Sequence, residues 1–222
     1  MSNFYKEYER FYVSVDCVIF GFSSGNLKLL IQKRPYEPGL GADSLIGGFV
    51  GKDESVKSGA SRVLTHFTGL ENVYMQQLDV FSEVERDPGE RVISVVYYAL
   101  IDVNEYNESH SEKPNARWVD IDKVPTLCLD HNEMVARALD ALKSRISNEP
   151  IGSNLLPELF TLSQLQLLHE SILGYAVDKR NFRRSILSNG FIERTEKVDK
   201  KTSKRGAALY RFTSAKKHHL PH

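Results

Sequence analysis

Hydrophobic and polar positions change their rhythm along this chain. From Phe11 to Phe20 the run FYVSVDCVIF alternates, setting Val13, Val15, Cys17 and Ile19 on one face, the period of a β-strand. The turn residues SSGN and the run LKLLIQKR follow, so the pair predicts a hairpin. RPYEPGLGADS reads as a Pro/Gly loop of the kind that borders a site. The short strand GGFV then leads into a helix expected from about Asp53 to Phe67 and stopped by Gly69. YMQQLDVFSEV and RVISVVYYALIDV predict two further strands, the second apolar on both faces as a central strand is. ARWVDID adds a short strand, and a helix from about Asp130 to Ser147 closes this region. NEPIGSNLLP gathers Pro, Gly and Asn and predicts a linker, dividing the chain into domains 1–150 and 151–222.

After the linker the period becomes helical. Thr161 and Gln164 form a capping-box pair before LSQLQLLHESIL, whose Leu162, Leu165, Leu168 and Ile172 make an apolar stripe ended by Gly174. Asp178 is placed to cap a second helix, KRNFRRSILSN, which Gly190 terminates. There Phe182, Ile186 and Leu187 are expected to bury against the first helix, leaving Lys179, Arg180, Asn181, Arg183, Arg184 and Ser185 outward. The strand FIERT, a charged loop and the strand AALYRF complete a helix, helix, hairpin layout, that of a winged helix-turn-helix. Arginine can donate to guanine in bidentate fashion, asparagine to adenine, and either cation can neutralise phosphate. The hairpin tip adds Lys200, Lys201, Lys204 and Arg205, so double-stranded DNA is the expected partner of this segment. RNA fits less well, because no stacking aromatics are interleaved with the cations.

Charge sharpens this picture. The 222 residues carry no net charge, yet residues 151–222 hold 13 Lys+Arg against 6 Asp+Glu, while residues 1–150 hold 16 against 23. A basic segment on an acidic one is expected when only one part meets a polyanion. At 41% hydrophobic and 26% charged the composition is that of a globular protein. No apolar run reaches transmembrane length, and MSNFYKEYERF carries charges where a signal peptide has its apolar stretch. The two cysteines, Cys17 and Cys128, are expected to be reduced core residues, which points to a cytoplasmic protein.

Gly48, Glu54, Arg62, Leu64, Gly69 and Leu70 reproduce the frame of the Nudix box, G-x5-E-x7-R-E-U-x-E-E-x-G-U, with U a bulky aliphatic residue. The surrounding element order resembles the Nudix α/β/α sandwich, and FTLSQLQLLHESILG, DKRNFRRSIL and KRGAALYRF resemble the winged helix of the Nudix-related (NrtR-like) transcriptional regulators. The fold class expected is therefore α/β, a Nudix-like sandwich followed by a C-terminal winged helix-turn-helix. The resemblance implies a homodimer reading a palindromic operator, with the Nudix-like domain sensing a metabolite. In the family's hydrolases the Glu positions of the box hold divalent metals; here they are Val63, His66 and Phe67. Magnesium takes oxygen ligands and assists pyrophosphate cleavage by offsetting charge and activating water. No catalytic residue, metal or cofactor is therefore assigned. The missing metal site argues against a diphosphate ligand, so the resemblance is read toward the sugar-responsive, arabinose regulator-like subgroup. A neutral sugar would be met by Gln32, Arg34, Glu37, Phe49 and Glu54, beside the Pro/Gly loop and the box. Three alternatives stay open: an ADP-ribose-responsive regulator of NAD metabolism, a hydrolase with unorthodox ligands such as Glu83, Glu85 or Glu90, and a protein-binding adaptor.

Overall fold

The computed structural model describes residues 4–71, 73–103, 106, 116–200 and 206–213. Strands β1 (Tyr12–Ser23) and β2 (Asn26–Lys33) form the expected hairpin. Its turn places Ser24 at φ 55° and Gly25 at φ 80°, the left-handed pair whose twist suits a two-residue connection. β6 (Val92–Asp102) runs parallel to β1 along one edge. The other edge of β1 is shared: β4 (Ile46–Phe49) pairs with Ser14 to Cys17, and β2 with Ile19 to Ser23. β3 (Asp43–Ser44) and β7 (Ala116–Asp120) pair with β2, and β5 (Tyr74–Phe81) with β6, completing a seven-stranded mixed sheet.

The two faces of this sheet are covered differently. Val15, Cys17 and Ile19 of β1 pack with Ala60, Val63 and Leu64 of helix α1 (Val56–Thr68). Val18, Phe20 and Phe22, one position out of phase, pack with Val96, Tyr98 and Leu100 and with helix α2 (His131–Ile146). α2 buries Met134, Val135, Ala138, Leu142 and Ile146, a helical period lying along the sheet. Toward the other end of that face, however, β1 carries Ser14 and Asp16 and β6 carries Ser94, all buried. The face covered by α2 is thus apolar at one end and polar at the other, and His131, the first residue of α2, lies at the polar end.

The winged-helix segment begins with β8 (Phe160–Thr161) and helix α3 (Leu162–Leu173). The Thr161–Gln164 capping box is formed, and Gly174 ends α3 at φ 81°. Helix α4 (Lys179–Ser188) follows, with Asp178 accepting from the Asn181 amide at 2.8 Å. β9 (Ile192–Asp199) and β10 (Ala207–Phe212) pair antiparallel, and β10 also pairs with β8. Phe160, Leu162, Leu165, Leu168, Ile172, Ile186 and Ile192 belong to the same buried cluster as Phe20, Leu29 and Leu142. One core therefore serves both segments.

Three expectations change. The stretch read as a linker contains a short 3-10 turn, Ile151–Asn154, and its Ile151, Gly152, Leu155 and Leu156 are buried. Leu187 is 51% exposed. It stands about 140° around the helix from Phe182, at 100° per residue, so the apolar stripe of α4 reduces to Phe182 and Ile186. Cys17 is buried as expected, but Cys128 is only half-buried and lies 3.7 Å from His131 Nδ1; both thiols are free. Among the described residues, no helix is long and apolar enough to cross a membrane.

Leu165→Ala should destabilise the protein by about 2–5 kcal/mol, the range for truncating a buried leucine. Because the core is shared, the unfolding midpoint reported by Trp118, the single tryptophan and a residue of β7, should fall with it. An unmoved Trp118 transition would show that the two segments unfold independently.

Candidate functional site

The polar end of the sheet face opens into a shallow cleft. Ser14 and Asp16 form its floor, with Gly48 and Phe49 of β4 on one side and Arg34 and Tyr36 on another. The loop between β5 and β6 contributes Arg86 and Asp87, and the start of α2 contributes Leu129 and His131. Arg34 is held by its Nε donating to the Pro38 carbonyl at 2.6 Å, and its guanidinium lies 4.6 Å from the Tyr36 ring centre. Arg86, with a side chain only 3% exposed, forms a two-pronged bond to Asp130 at 2.8 and 2.7 Å. Such a buried pair fixes the loop to the N-terminus of α2, and removing either partner would strand the other charge.

Asp16 Oδ2 accepts from the Ser94 hydroxyl at 2.5 Å. His131 Nδ1 lies 3.1 Å from the Leu45 amide nitrogen, which donates to it. Nδ1 is thus an acceptor, and the ring proton is on Nε2, the nitrogen facing Asp16 Oδ1 at 3.7 Å.

The Nudix-like frame is built as a brace. Glu54 accepts from Arg62 at 2.6 and 3.0 Å and from the Gly51 amide at 2.6 Å, and Arg62 also donates to the Phe49 carbonyl at 3.0 Å. These bonds hold the Glu54 carboxyl down to about 2. α1 consequently starts after Glu54, at Val56, with Ser55 as its cap. Val63 is buried against the sheet, Phe67 is half-buried, and His66 is exposed with its ring edge-on to Phe67. Two apolar side chains and a carboxylate already tied to an arginine do not fit a magnesium site. Glu83, Glu85 and Glu90 are exposed, and among the described residues no three His, Cys, Asp or Glu side chains converge on a metal position.

Of the five residues expected to meet a ligand, Arg34 and Phe49 line the cleft. Gln32 is buried and donates to the Leu45 carbonyl at 3.3 Å; Glu37 accepts from the Gly39 amide at 2.8 Å; Glu54 belongs to the brace. Ser14, Asp16, Tyr36, Arg86 and His131 escaped the sequence reading. For Ser14 and Asp16 a signal was present: Val18, Phe20 and Phe22 mark the second face of β1 as buried, which makes these two buried polar groups. On α4, Lys179, Arg180, Asn181, Arg183, Arg184 and Ser185 are all exposed, and among the described residues no carboxylate pairs with its four cations. Lys201, Lys204 and Arg205 lie outside the described residues.

Because the Glu54 pKa is lowered on folding, its contribution is complete above the ordinary value of 4.5 and is lost as pH falls through about 2. Glu54→Gln should therefore lower the urea midpoint at pH 7, and the gap from wild type should close by about pH 2. A gap that persists at pH 2 would mean that the brace does not depend on the carboxylate charge.

Comparison with known proteins matches residues 10–138 to the Nudix domain and residues 152–212 to the NrtR DNA-binding winged helix domain. A protein of Acinetobacter baylyi described as an ADPR responsive transcriptional repressor NtrR is 32% identical over 204 residues, covering 90% of this chain and 81% of that protein. An ADP-ribose pyrophosphatase of Methanocaldococcus jannaschii is 31% identical over 126 residues, covering 57% of this chain and 74% of that enzyme. The crystal structure of Shewanella oneidensis NrtR complexed with a 27mer DNA aligns with a TM-score of 0.82 at 27% identity, over 90% of this chain and 93% of that one. With a Nudix domain, a winged helix and similarity to such a regulator over 90% of its length, this chain belongs to the NrtR family of Nudix-related, ligand-responsive DNA-binding transcriptional regulators.

Proposed function

We propose that this protein is a transcriptional repressor that binds ADP-ribose in the cleft and does not cleave it. The observation that carries this reading is the likeness to the A. baylyi ADPR-responsive repressor along 90% of the chain. It replaces the neutral sugar expected from the missing metal ligands. That expectation rested on a diphosphate needing a metal counter-ion, but guanidinium groups also bind phosphate oxygens in bidentate fashion. Arg34, whose bond to the Pro38 carbonyl uses only Nε, stands at this cleft to do so. Tyr36 and Phe49, 44% and 51% exposed, offer ring faces for a base at its mouth. Absence of hydrolysis follows from Val63 and Phe67, which present no oxygen to a metal. The protein is assigned to domains 1–150 for sensing and 151–222 for DNA, and to a homodimer on a palindromic operator.

The cations of α4, with Asn181 and Ser185, are the groups proposed to enter the major groove, and the bound DNA of the S. oneidensis relative supports a DNA role for this helix. ADP-ribose alters DNA binding only by favouring the conformation that binds DNA less well.

On an operator obtained by selection from random duplexes, Arg183→Ala or Arg184→Ala should weaken binding by about 1–3 kcal/mol where that side chain reads a base. Fluorescence anisotropy showing full affinity in both variants would remove α4 from the interface. Saturating ADP-ribose should lower operator affinity tenfold or more, equivalent to about 1.4 kcal/mol of coupling. Unchanged affinity with bound ADP-ribose would refute the effector role. Turnover of ADP-ribose with Mg²⁺ or Mn²⁺ would make the protein an enzyme after all.

A further inference from the structure

The floor of the cleft carries a donor and an acceptor that face one another without meeting. Asp16 is 7% exposed; its Oδ2 is bonded to Ser94, while Oδ1 has no hydrogen-bond donor among the described residues. His131 is 1% exposed and its Nδ1 is engaged by Leu45, which leaves the Nε2 hydrogen directed at Oδ1. The 3.7 Å between these atoms is too long for a hydrogen bond. Gly47 keeps Oδ1 in this position, because a Cβ there would come within 2.3 Å of it. Ser14, two residues before Asp16 on the same face, brings a hydroxyl to the same floor.

One oxygen about 2.8 Å from both atoms completes the pair, accepting from Nε2 and donating to Oδ1. Of a ligand's charged and hydroxyl groups a hydroxyl does both, taking the place of a bridging water: a phosphate oxygen has no hydrogen to give, and an ammonium has no lone pair to accept with. We propose that Asp16 and His131 form a hydroxyl-reading subsite, and that it takes the terminal ribose of the effector. The inference rests on the ADP-ribose reading for the identity of that sugar. The exposed rings of Tyr36 and Phe49 suit the base at the mouth, which leaves the far sugar for the buried floor. A site built around a hydroxyl rejects an analogue that lacks it, since its own buried groups are then left unpaired.

Calorimetric titration of the full-length protein with ADP-ribose and with ADP, which lacks the terminal ribose, tests this. Wild type should prefer ADP-ribose at least tenfold. Asp16→Asn still accepts from Ser94 but turns an NH2 toward the hydroxyl, so it should bind ADP as wild type does and lose the preference. His131→Asn keeps an acceptor for the Leu45 amide, removes the Nε2 donor, and should do the same if Asp16→Asn does not fold. Either folded variant retaining the full preference overturns the subsite. Should wild type bind neither nucleotide, the ADP-ribose reading fails, and thermal shifts with D-ribose and L-arabinose decide the subsite separately. A shift abolished by either variant supports it; no shift in wild type, or one the variants keep, overturns it.

Discussion

The packing of α2 along one face of the β1–β6 pair organises this molecule. β1 is buried on both faces, so side chains of either phase must find partners. Val18, Phe20 and Phe22 find theirs in α2 and, through the same cluster, in α3 and the strands of the winged helix. Ser14 and Asp16 occupy that phase at the other end, where no apolar partner can satisfy them. A cleft forms there because a polar floor needs polar neighbours, and the start of α2, with Asp130 and His131, brings them. The helix that closes the core thus also frames the pocket.

The Nudix-like frame plays its part in the same arrangement. Gly47, just before its first glycine, lets β4 approach β1, and its Glu54–Arg62 pair ties the entry loop to α1 and to the Phe49 carbonyl. Phe49 is thereby presented at the mouth of the cleft. The residues kept from the box are those that shape a loop, whereas two of the three positions that hold metal in hydrolases carry the packing residues Val63 and Phe67.

Much of the fold was legible because its signals are local. The alternation of β1, the capping box at Thr161 and the stop at Gly174 each depend on neighbours within a few positions. Leu187 was misplaced by grouping residues five apart, a spacing that drifts off a helical stripe. The linker misled for a similar reason: Pro, Gly and Asn announce a turn but say nothing of whether that turn is covered. The cleft was harder still, since Asp16 and His131 are 115 positions apart and acquire meaning only when β1 and α2 are laid together. The expectation of a sugar took the absence of one set of counter-charges to exclude others, and Arg86 reaches the cleft lining from a loop that no motif marks.

The shared core also bears on modularity. Proteins of two named domains invite the experimenter to cut between them, here near Pro150. In this chain such a cut would strip Phe160, Leu162, Leu165 and Leu168 from the sheet side of their cluster, and leave Leu29, Ile31 and the far end of α2 facing water. Each fragment would carry a raw apolar scar of the kind that drives self-association. Grafting the winged helix onto another sensor would therefore require redesigning the surface it hides here.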